Sequence, residues 1–276
     1  MAEIPLSASG KTAMQVAIEV SLKAGEILSE RFYQAKEISM KGSNDFVTNV
    51  DMESEAFILA ELGREFPDMG LLGEESAGAR PDEGYVWIVD PVDGTRNYAW
   101  GIPFVSLVIG LALDGEPLVG VNYDPMCNEM FHAERGKVAF LNDDRIHVSD
   151  KPSLSESVVG FDLSFAGDDG ASNGLQIIQS FLGGIRTARI MGSSALGISY
   201  AASGRYDIYF NHRLEPWDQV AGLLLVEEAG GIVTDRTGKR AGLYSDGIIA
   251  SSAGLHAEFM RRTEGMAWRN PTHRTV

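Results

Sequence analysis

Cysteine is almost absent from this sequence, which carries Cys127 alone among its 276 residues. A single thiol excludes an internal disulfide framework and is typical of a protein that stays in a reducing compartment. We therefore expect Cys127 to be an inert, packed thiol and not a nucleophile.

Long apolar runs are also missing. No stretch reaches the roughly 18 residues that a membrane helix needs, and the segment MAEIPLSASGKTAM lacks a cationic start followed by an apolar core. We expect no membrane span, no secretory signal and a cytoplasmic location. The hydrophobic fraction of 44% and the mean hydropathy of −0.06 indicate a globular protein rather than a disordered one.

Basic residues are scarce: 23 lysines and arginines stand against 39 acidic residues, which gives a formal net charge of −16. Nucleic acids and anionic membranes repel such a chain, so we expect no general binding to either. Anionic small molecules are repelled as well, unless bound divalent cations become the largest local charges.

Two carboxylates follow a short apolar run near the end of the first third of the chain. The segment Trp87–Val89 leads into Asp90 and Asp93, and Gly94 and Thr95 come next. Carboxylates at the end of a buried strand are costly unless cations or hydrogen-bond donors compensate them. We predict that hard divalent cations do so here and that the substrate is a phosphate ester.

Further acidic residues stand at predicted junctions between elements, and together they form the candidate set Asp51, Glu74, Asp90, Asp93 and Asp218. Mg²⁺ takes oxygen ligands of this kind. A pair of such cations needs a bridging carboxylate, and Asp90 at its strand end is our candidate. The backbone carbonyl of Val92 can add a ligand, and Gly94 lets the chain pass close to a phosphate.

Each of these signals is weak alone. An Asp-x-x-Asp-Gly run is more often a turn than a metal site, and Asp218 can be an ordinary acid at a helix start, where the helix dipole favours it. A calcium EF-hand is excluded because its loop needs glutamate at position twelve, and counting from Asp90 that position holds Gly101.

The hydrophobic pattern predicts helices first, over 11–35 and over 52–66 with Asp51 as the N-cap. An antiparallel meander of strands follows between 105 and 148, and helices alternate with strands from 158 onwards. This order favours layers of helix and sheet with two sheets. We expect one domain over 1–276, with a possible seam near 150–155 between an N-terminal α+β half and a C-terminal α/β half.

Two long segments, WIVDPVDGTRNYAWGIPFVSLVIGL at 87–111 and EPWDQVAGLLLVEEAGGIVTD at 215–235, are distinctive. Shorter ones are FVTNVD at 46–51, GEES at 73–76 and GSSAL at 192–196. Together they resemble the inositol monophosphatase family of Mg²⁺-dependent, lithium-sensitive phosphatases. The matching segments extend over nearly the whole chain.

The resemblance implies a layered αβαβα sandwich of the α+β or α/β class, usually a homodimer, with two or three Mg²⁺ per active site. It implies metal ligands at Glu74, Asp90, the Val92 carbonyl, Asp93 and Asp218. It implies that Asp51 hydrogen-bonds Thr95 beside the nucleophilic water. Substrate contacts are implied for Val92, Asp93, Gly94, Thr95, Gly192, Ser193, Ser194, Asn211 and Asp218.

The implied chemistry is hydrolysis of a phosphate monoester, with myo-inositol monophosphate or a related polyol or sugar phosphate as the substrate. One cation, held by Glu74, Asp90 and the Val92 carbonyl, lowers the pKa of a bound water. A second, held by Asp90, Asp93 and Asp218, stabilises the leaving oxygen. No histidine is assigned a role.

The chain departs from the inositol-specific members at one position. They carry a glutamate seven residues before the aspartate of the second signature, where this chain has Asn211. An amide still bonds hydroxyls but lacks the charge, so the reaction class is better supported than myo-inositol phosphate itself. Arg213 can reach a second anion or pair with Glu215, and we favour the pair. Arg189 is expected in a structural or phosphate-side role, and specificity is expected near Asn211 and the 162–170 loop.

Two alternatives stay open. The first is a histidinol-phosphate phosphatase or another small phosphate-monoester phosphatase of the same superfamily. The second is a regulatory protein that keeps the fold and binds another macromolecule. Such a protein is expected to lose metal ligands, whereas all five carboxylates are present here.

Overall fold

The structure is a computed structural model that describes residues 4–40, 46–76, 83–163 and 170–270. A short antiparallel pair of strands, β1 (Ile38–Met40) and β2 (Phe46–Thr48), precedes two larger sheets. The sequence analysis did not predict this pair.

The larger sheet contains seven strands within the described part of the chain, and their order in space is their order in sequence. Its first two strands are parallel and all other neighbours are antiparallel, which confirms the predicted meander. The strands are β3 (Gly70–Gly73), β4 (Tyr85–Asp93), β5 (Ser106–Leu113), β6 (Glu116–Asp124), β7 (Glu129–Glu134), β8 (Phe140–Leu141) and β9 (Asp144–Arg145).

The second sheet is built from the C-terminal half of the chain. Its strands are β10 (Val158–Asp162), β11 (Thr187–Arg189), β12 (Ile208–Asn211), β13 (Ile232–Asp235) and β14 (Ile248–Ser251). They lie in the order β11-β10-β12-β14-β13. Strand β10 is parallel to both of its neighbours, whereas β14 is antiparallel to β12 and β13.

Seven α-helices are found among the described residues: α1 (Ala13–Arg31), α2 (Asn49–Glu65), α3 (Thr95–Trp100), α4 (Gly170–Phe181), α5 (Ser194–Ala202), α6 (Pro216–Glu228) and α7 (Ala253–Arg262). Of these described helices, none has the length and apolar character needed to cross a membrane. Helix α3 begins directly after Gly94.

The helices form three layers around the two sheets. Helices α1 and α2 cover one face of the larger sheet, α5 and α6 lie between the sheets, and α4 and α7 cover the outer face of the second sheet. Strand β4 is therefore buried on both sides: Trp87 and Val89 pack under α1 and α2, while Val86 and Ile88 pack toward α6. The architecture is the αβαβα sandwich that was expected.

The start of α2 differs from the prediction. Thr48, not Asp51, is the N-cap, and Asp51 is the third helical residue. The two residues form a capping box, because the backbone N–H and hydroxyl of Thr48 both donate to Asp51 Oδ2. The apolar run Trp87–Val89 lies within β4, which continues to Asp93.

Between the two sheets the chain passes through a 3₁₀ turn, Leu154–Glu156, close to the seam expected near 150–155. The expectation of one domain over the whole chain stays a prediction.

Cys127 is exposed, so the expectation of a packed thiol was wrong. Partial desolvation and the Asp124 carboxylate raise the pKa of Cys127 to about 11. At neutral pH the reactive thiolate is therefore scarce, as expected for an inert cysteine.

Helix α6 lies against the larger sheet through glycines of β5 and β6. A Cβ added at Gly120 would lie 2.7 Å from Ala221 Cα, so we expect Gly120→Ala to lower the free energy of unfolding by about 1–3 kcal/mol. Urea denaturation measures this loss. In the control Gly174→Ala, on α4, the new Cβ meets no atom within 4 Å, and stability should hold or rise slightly. Equal stability of Gly120→Ala and wild type would contradict the close approach.

Candidate metal centre

The end of β4 turns sharply at its two aspartates. The pairing register between β4 and β5 shifts between Asp90 and Asp93, and Asp90 Oδ1 accepts a hydrogen bond from Val92 N at 2.9 Å. Gly94 follows with a φ of 93°, a left-handed conformation that glycine adopts without strain. A Cβ at that position would lie 3.1 Å from the Gly192 carbonyl oxygen. The turn therefore needs glycine, and the close approach of Gly94 to a phosphate stays a prediction.

Helix α6 brings a third carboxylate to the same place. Pro216 begins the helix and Asp218 is its third residue, with Asp218 Oδ2 accepting from Glu215 N at 2.7 Å. Carboxylate oxygens of Asp90, Asp93 and Asp218 lie within 4.8 Å of one another. Three of the predicted ligands, from distant parts of the sequence, thus form one cluster.

The cluster is unfavourable as a set of free anions. Burial, followed by the Glu74, Asp93 and Asp218 carboxylates, raises the pKa of Asp90 well above its ordinary value. Burial also raises the pKa of Asp93 to about 6, against the opposing hydrogen bond from Ser193. The pKa of Asp218 is raised by burial, then by Asp93 and Glu74. The charged groups that raise these pKa values are all carboxylates, so the donor set fits a hard divalent cation.

Glu74 lies beside the cluster, after β3. Its backbone N–H donates to the Val89 carbonyl at 3.1 Å, which ties the end of β3 to β4. A hydrogen bond between the Glu74 and Asp90 carboxyl groups contributes to the raised pKa of Asp90. The predicted ligand Glu74 is therefore in contact with the predicted bridging residue.

Glu55, which the sequence analysis missed, holds the turn that carries Glu74. It is 3% exposed on α2, and its Oε2 accepts from Glu75 N at 2.8 Å. Its carboxylate fills the space beside Gly73, where an added Cβ would lie 2.5 Å from Glu55 Cδ. Because Glu55 follows Asp51 by four residues in a predicted helix, a shared face was the available signal.

Asp51 and Thr95 are neighbours, and the hydrogen bond that the resemblance implies between them stays a prediction. Burial raises the pKa of Asp51, and the nearby Thr95 hydroxyl is among the groups that lower it. Thr95 Oγ1 also lies 3.0 Å from the Val92 carbonyl oxygen, to which it donates. Asp51 Oδ1 is buried with no hydrogen-bond partner among the described residues, so it is the oxygen left for Thr95.

The segment before α5 encloses Asp93. The Ser193 hydroxyl donates to Asp93 Oδ2, and the N–H groups of Ser194 and Ala195 donate to the same carboxylate at 3.2 and 3.0 Å. Ser193 is 1% exposed. Its hydroxyl group is buried against Asp93 and the first turn of α5. Its predicted role as a substrate contact stays a prediction.

A cleft of about 430 Å³ opens above the cluster. Of the predicted substrate residues, Gly94, Thr95, Gly192, Ser194, Asn211 and Asp218 line it. Val92, Asp93 and Ser193 lie buried beneath it, with Asp51 and Asp90. Asp162 and Leu163 also line the cleft, whereas residues 164–169 of the loop expected to carry specificity lie outside the described residues.

Asn211 is buried and already hydrogen-bonded. Its Nδ2 donates to Ser194 Oγ at 3.0 Å and to Tyr209 Oη at 3.2 Å, and its Oδ1 accepts from Arg213 N at 3.1 Å. Both amide N–H groups are therefore used within the protein. A direct substrate contact through Asn211 stays a prediction and is limited to its Oδ1 atom.

The two arginines considered in the sequence analysis, Arg213 and Arg189, make contacts with nearby protein groups. Arg213 Nε lies 4.0 Å from Glu215 Oε1 at the cleft rim, which is the favoured pairing. Arg189 donates to Thr187 Oγ1 at 2.6 Å and to the Ala188 carbonyl at 2.8 Å, so the contacts it makes are local and structural.

The sequence model of the inositol monophosphatase family matches residues 11–266 of this chain. The inositol-1-monophosphatase of Mesorhizobium japonicum is 36% identical over 87% of the chain and 91% of its own length. The Nus factor SuhB of Escherichia coli K12 is 36% identical over the same shares. The crystal structure of the extragenic suppressor protein suhB from Bartonella henselae superposes with a TM-score of 0.86 at 34% identity, covering 91% of this chain and 98% of that one.

The carboxylate cluster predicts an unusual dependence of stability on pH. In the unfolded chain Asp93 ionises near its ordinary pKa of 3.8, whereas its folded pKa is about 6. Between these values the folded state binds more protons, so without divalent cations the free energy of unfolding falls as pH rises. Asp90→Asn removes one charge, so we expect this variant to exceed wild type by on the order of 1 kcal/mol above pH 6.

Urea denaturation in EDTA, at pH 4 and pH 7.5, measures the difference between the two proteins. It should vanish near pH 4, and saturating Mg²⁺ at pH 7.5 should reverse it. A wild type that is as stable as Asp90→Asn in EDTA at pH 7.5 would contradict the cluster's repulsion.

Glu55 is predicted to act on cation binding through Glu74. We expect Glu55→Ala to raise the Mg²⁺ concentration for half-maximal stabilisation by roughly 10- to 100-fold, because groups that orient metal ligands contribute this much to affinity. Thermal melts at graded Mg²⁺ measure the midpoint. Glu53→Ala, an exposed residue of the same helix, is the control. Equal midpoints for Glu55→Ala and the control would contradict the role.

Proposed function

This chain belongs to the inositol monophosphatase family, and we propose that it hydrolyses a phosphate monoester in a Mg²⁺-dependent reaction. Family membership supports phosphatase activity on phosphate monoesters. The expected substrate is myo-inositol monophosphate or a related polyol or sugar phosphate. The observation that carries the proposal is the cluster of Asp90, Asp93 and Asp218 oxygens within 4.8 Å of one another, at the base of a cleft.

The residues present fit two or three Mg²⁺ ions. Glu74, Asp90 and the Val92 carbonyl would hold one, and Asp90, Asp93 and Asp218 would hold another. When bound, such cations lower the pKa of a coordinated water and stabilise charge on the leaving oxygen. They would also give the acidic cleft a local positive charge, which an anionic substrate requires.

The protein's own groups would position the attacking water. Asp51 Oδ1 can accept the Thr95 hydroxyl proton, which leaves the Thr95 oxygen to accept a hydrogen bond from the water. The Glu74 carboxylate provides a second acceptor. These groups would orient the water without forming a covalent bond to the substrate. Such a role suits phosphoryl transfer, because positioning and electrostatics dominate its catalysis.

Several finer properties are part of the same proposal. Lithium is expected to inhibit by occupying the site of Asp90, Asp93 and Asp218. A homodimer and a cytoplasmic location are expected from the family resemblance and from the composition. Histidinol phosphate stays an alternative substrate, which parallel assays with Mg²⁺ would separate from inositol phosphate.

A purely regulatory role is less well supported. The relative named Nus factor SuhB carries a name from outside metabolism, and that name describes the relative only. A protein that bound a macromolecule instead of catalysing would not need to retain all of Asp51, Glu74, Asp90, Asp93 and Asp218.

We expect Asp218→Asn to lower kcat for p-nitrophenyl phosphate and for inositol 1-phosphate by roughly 100-fold or more, because a cation ligand and its charge are lost. Steady-state assays in saturating Mg²⁺ measure this, with circular dichroism as the test of folding. Asp143→Asn, which makes the same change at an exposed turn, should behave as wild type. A folded Asp218→Asn protein that retains most of its activity would contradict the metal assignment.

A further inference from the structure

We propose that Asp162 is the specificity residue of the cleft, and that its carboxylate accepts a hydrogen bond from a hydroxyl of a polyol phosphate. The inference rests on the proposed phosphatase function and deepens it. It assigns the recognition of the alcohol part of the substrate to a residue outside the carboxylate cluster.

Asp162 stands at the end of β10, beside the end of β12. The two strands are parallel, and Asp162 is the register partner of Asn211. Both residues line the cleft, together with Asp218. The carboxyl ends of neighbouring parallel strands are where α/β sheets commonly bind ligands, so the position suits a substrate contact.

The hydrogen bonds of Asp162 leave one acceptor position. Its Oδ1 accepts from Met191 N at 3.2 Å and from Gly192 N at 2.7 Å, which uses both lone pairs. Its Oδ2 accepts from Tyr209 Oη at 2.8 Å. The second lone pair of Oδ2 has no donor among the described residues. Because Asp162 is only partly buried, this lone pair can be reached from the cleft.

The bonds that Asp162 already makes also fix its direction. The Met191 and Gly192 amides belong to the segment that continues to Ser193 beside Asp93, and the Tyr209 hydroxyl accepts from Asn211 Nδ2 at 3.2 Å. A carboxylate held by three donors loses little freedom when it binds a ligand.

No other described residue that lines the cleft offers a charged acceptor outside the cation cluster, and the remaining acceptor of Asn211, its Oδ1, is uncharged. The two N–H groups of Asn211 donate to Ser194 and Tyr209, so the amide cannot serve a substrate acceptor. Asp218, the other described carboxylate that lines the cleft, belongs to the cation cluster. A charged acceptor discriminates strongly against a ligand that lacks the matching hydroxyl, because the bound ligand then covers the carboxylate without giving it a partner.

The test compares a substrate rich in hydroxyls with one that has none. The quantity is the ratio of kcat/KM for inositol 1-phosphate to kcat/KM for p-nitrophenyl phosphate, in saturating Mg²⁺. We expect Asp162→Asn to lower this ratio at least tenfold, mainly through KM for inositol 1-phosphate. Asp143→Asn, on the exposed turn, should leave the ratio within twofold of wild type.

Tyr209→Phe separates recognition from a structural role. The substitution removes the Tyr209–Asp162 hydrogen bond but keeps the Asp162 carboxylate. The ratio of the two kcat/KM values should therefore stay close to that of wild type. The proposal is overturned if Asp162→Asn changes the ratio by less than twofold or lowers kcat/KM equally for both substrates. It is also overturned if Tyr209→Phe lowers the ratio as much as Asp162→Asn does.

The proposed function fails in a different way. A wild-type protein that hydrolyses neither ester in Mg²⁺ would overturn the phosphatase assignment and this inference with it. A wild type that hydrolyses p-nitrophenyl phosphate but none of a panel of polyol phosphates would overturn only the role of Asp162.

Discussion

Mutual repulsion among buried carboxylates is the constraint on which the rest of the site depends. Asp90, Asp93 and Asp218 place oxygens within 4.8 Å of one another, and the nearby Glu74 carboxylate adds to the raised pKa of Asp90. Burial and like charge together raise the pKa values of the three aspartates. Such a group is stable as anions only when cations share the site. The phosphatase chemistry proposed for this chain follows from that need.

The fold holds the repelling groups in place with separate elements. The end of β4, tied to β5 and turned at Gly94, carries two of them, and the first turn of α6 carries the third. The carboxylates of Asp51 and Asp218 also belong to capping boxes, in which they accept hydrogen bonds from the N-cap residues of α2 and α6. The buried Glu55 carboxylate accepts a hydrogen bond from the backbone N–H of Glu75 and so holds the turn that carries Glu74. Backbone N–H groups therefore hold the carboxylates of Asp51, Asp90, Asp93 and Asp218 in place without a cation, as in a preorganised site.

The layers and the ligand cluster could be predicted because they leave local signals. The continuous apolar run of β4, which is buried on both faces, the meander turns and Pro216 at a helix start are all visible in short windows. The N-cap of α2 was misassigned because Thr48 and Asp51 both suit that role, and only their reciprocal hydrogen bonds decide it. Glu55 was missed because its partner Glu75 is 20 residues away in sequence. Asp162 was included only as part of the 162–170 loop expected to carry specificity, because its partner Gly192 is 30 residues away. The internal use of the Asn211 amide depends on Tyr209 and Ser194 and could not be read from the motif.

The cleft thus has two ends with different chemistry: a carboxylate cluster suited to cations and phosphate, and a hydrogen-bonded rim at Asp162 and Asn211. Anomalous diffraction from crystals grown with Mn²⁺ tests the central claim most directly. The account predicts anomalous peaks in contact with Asp90, Asp93 and Asp218, with Asp90 shared between two of them. Crystals in saturating Mn²⁺ that show no peak at these carboxylates, with the side chains bonded to one another instead, would contradict it.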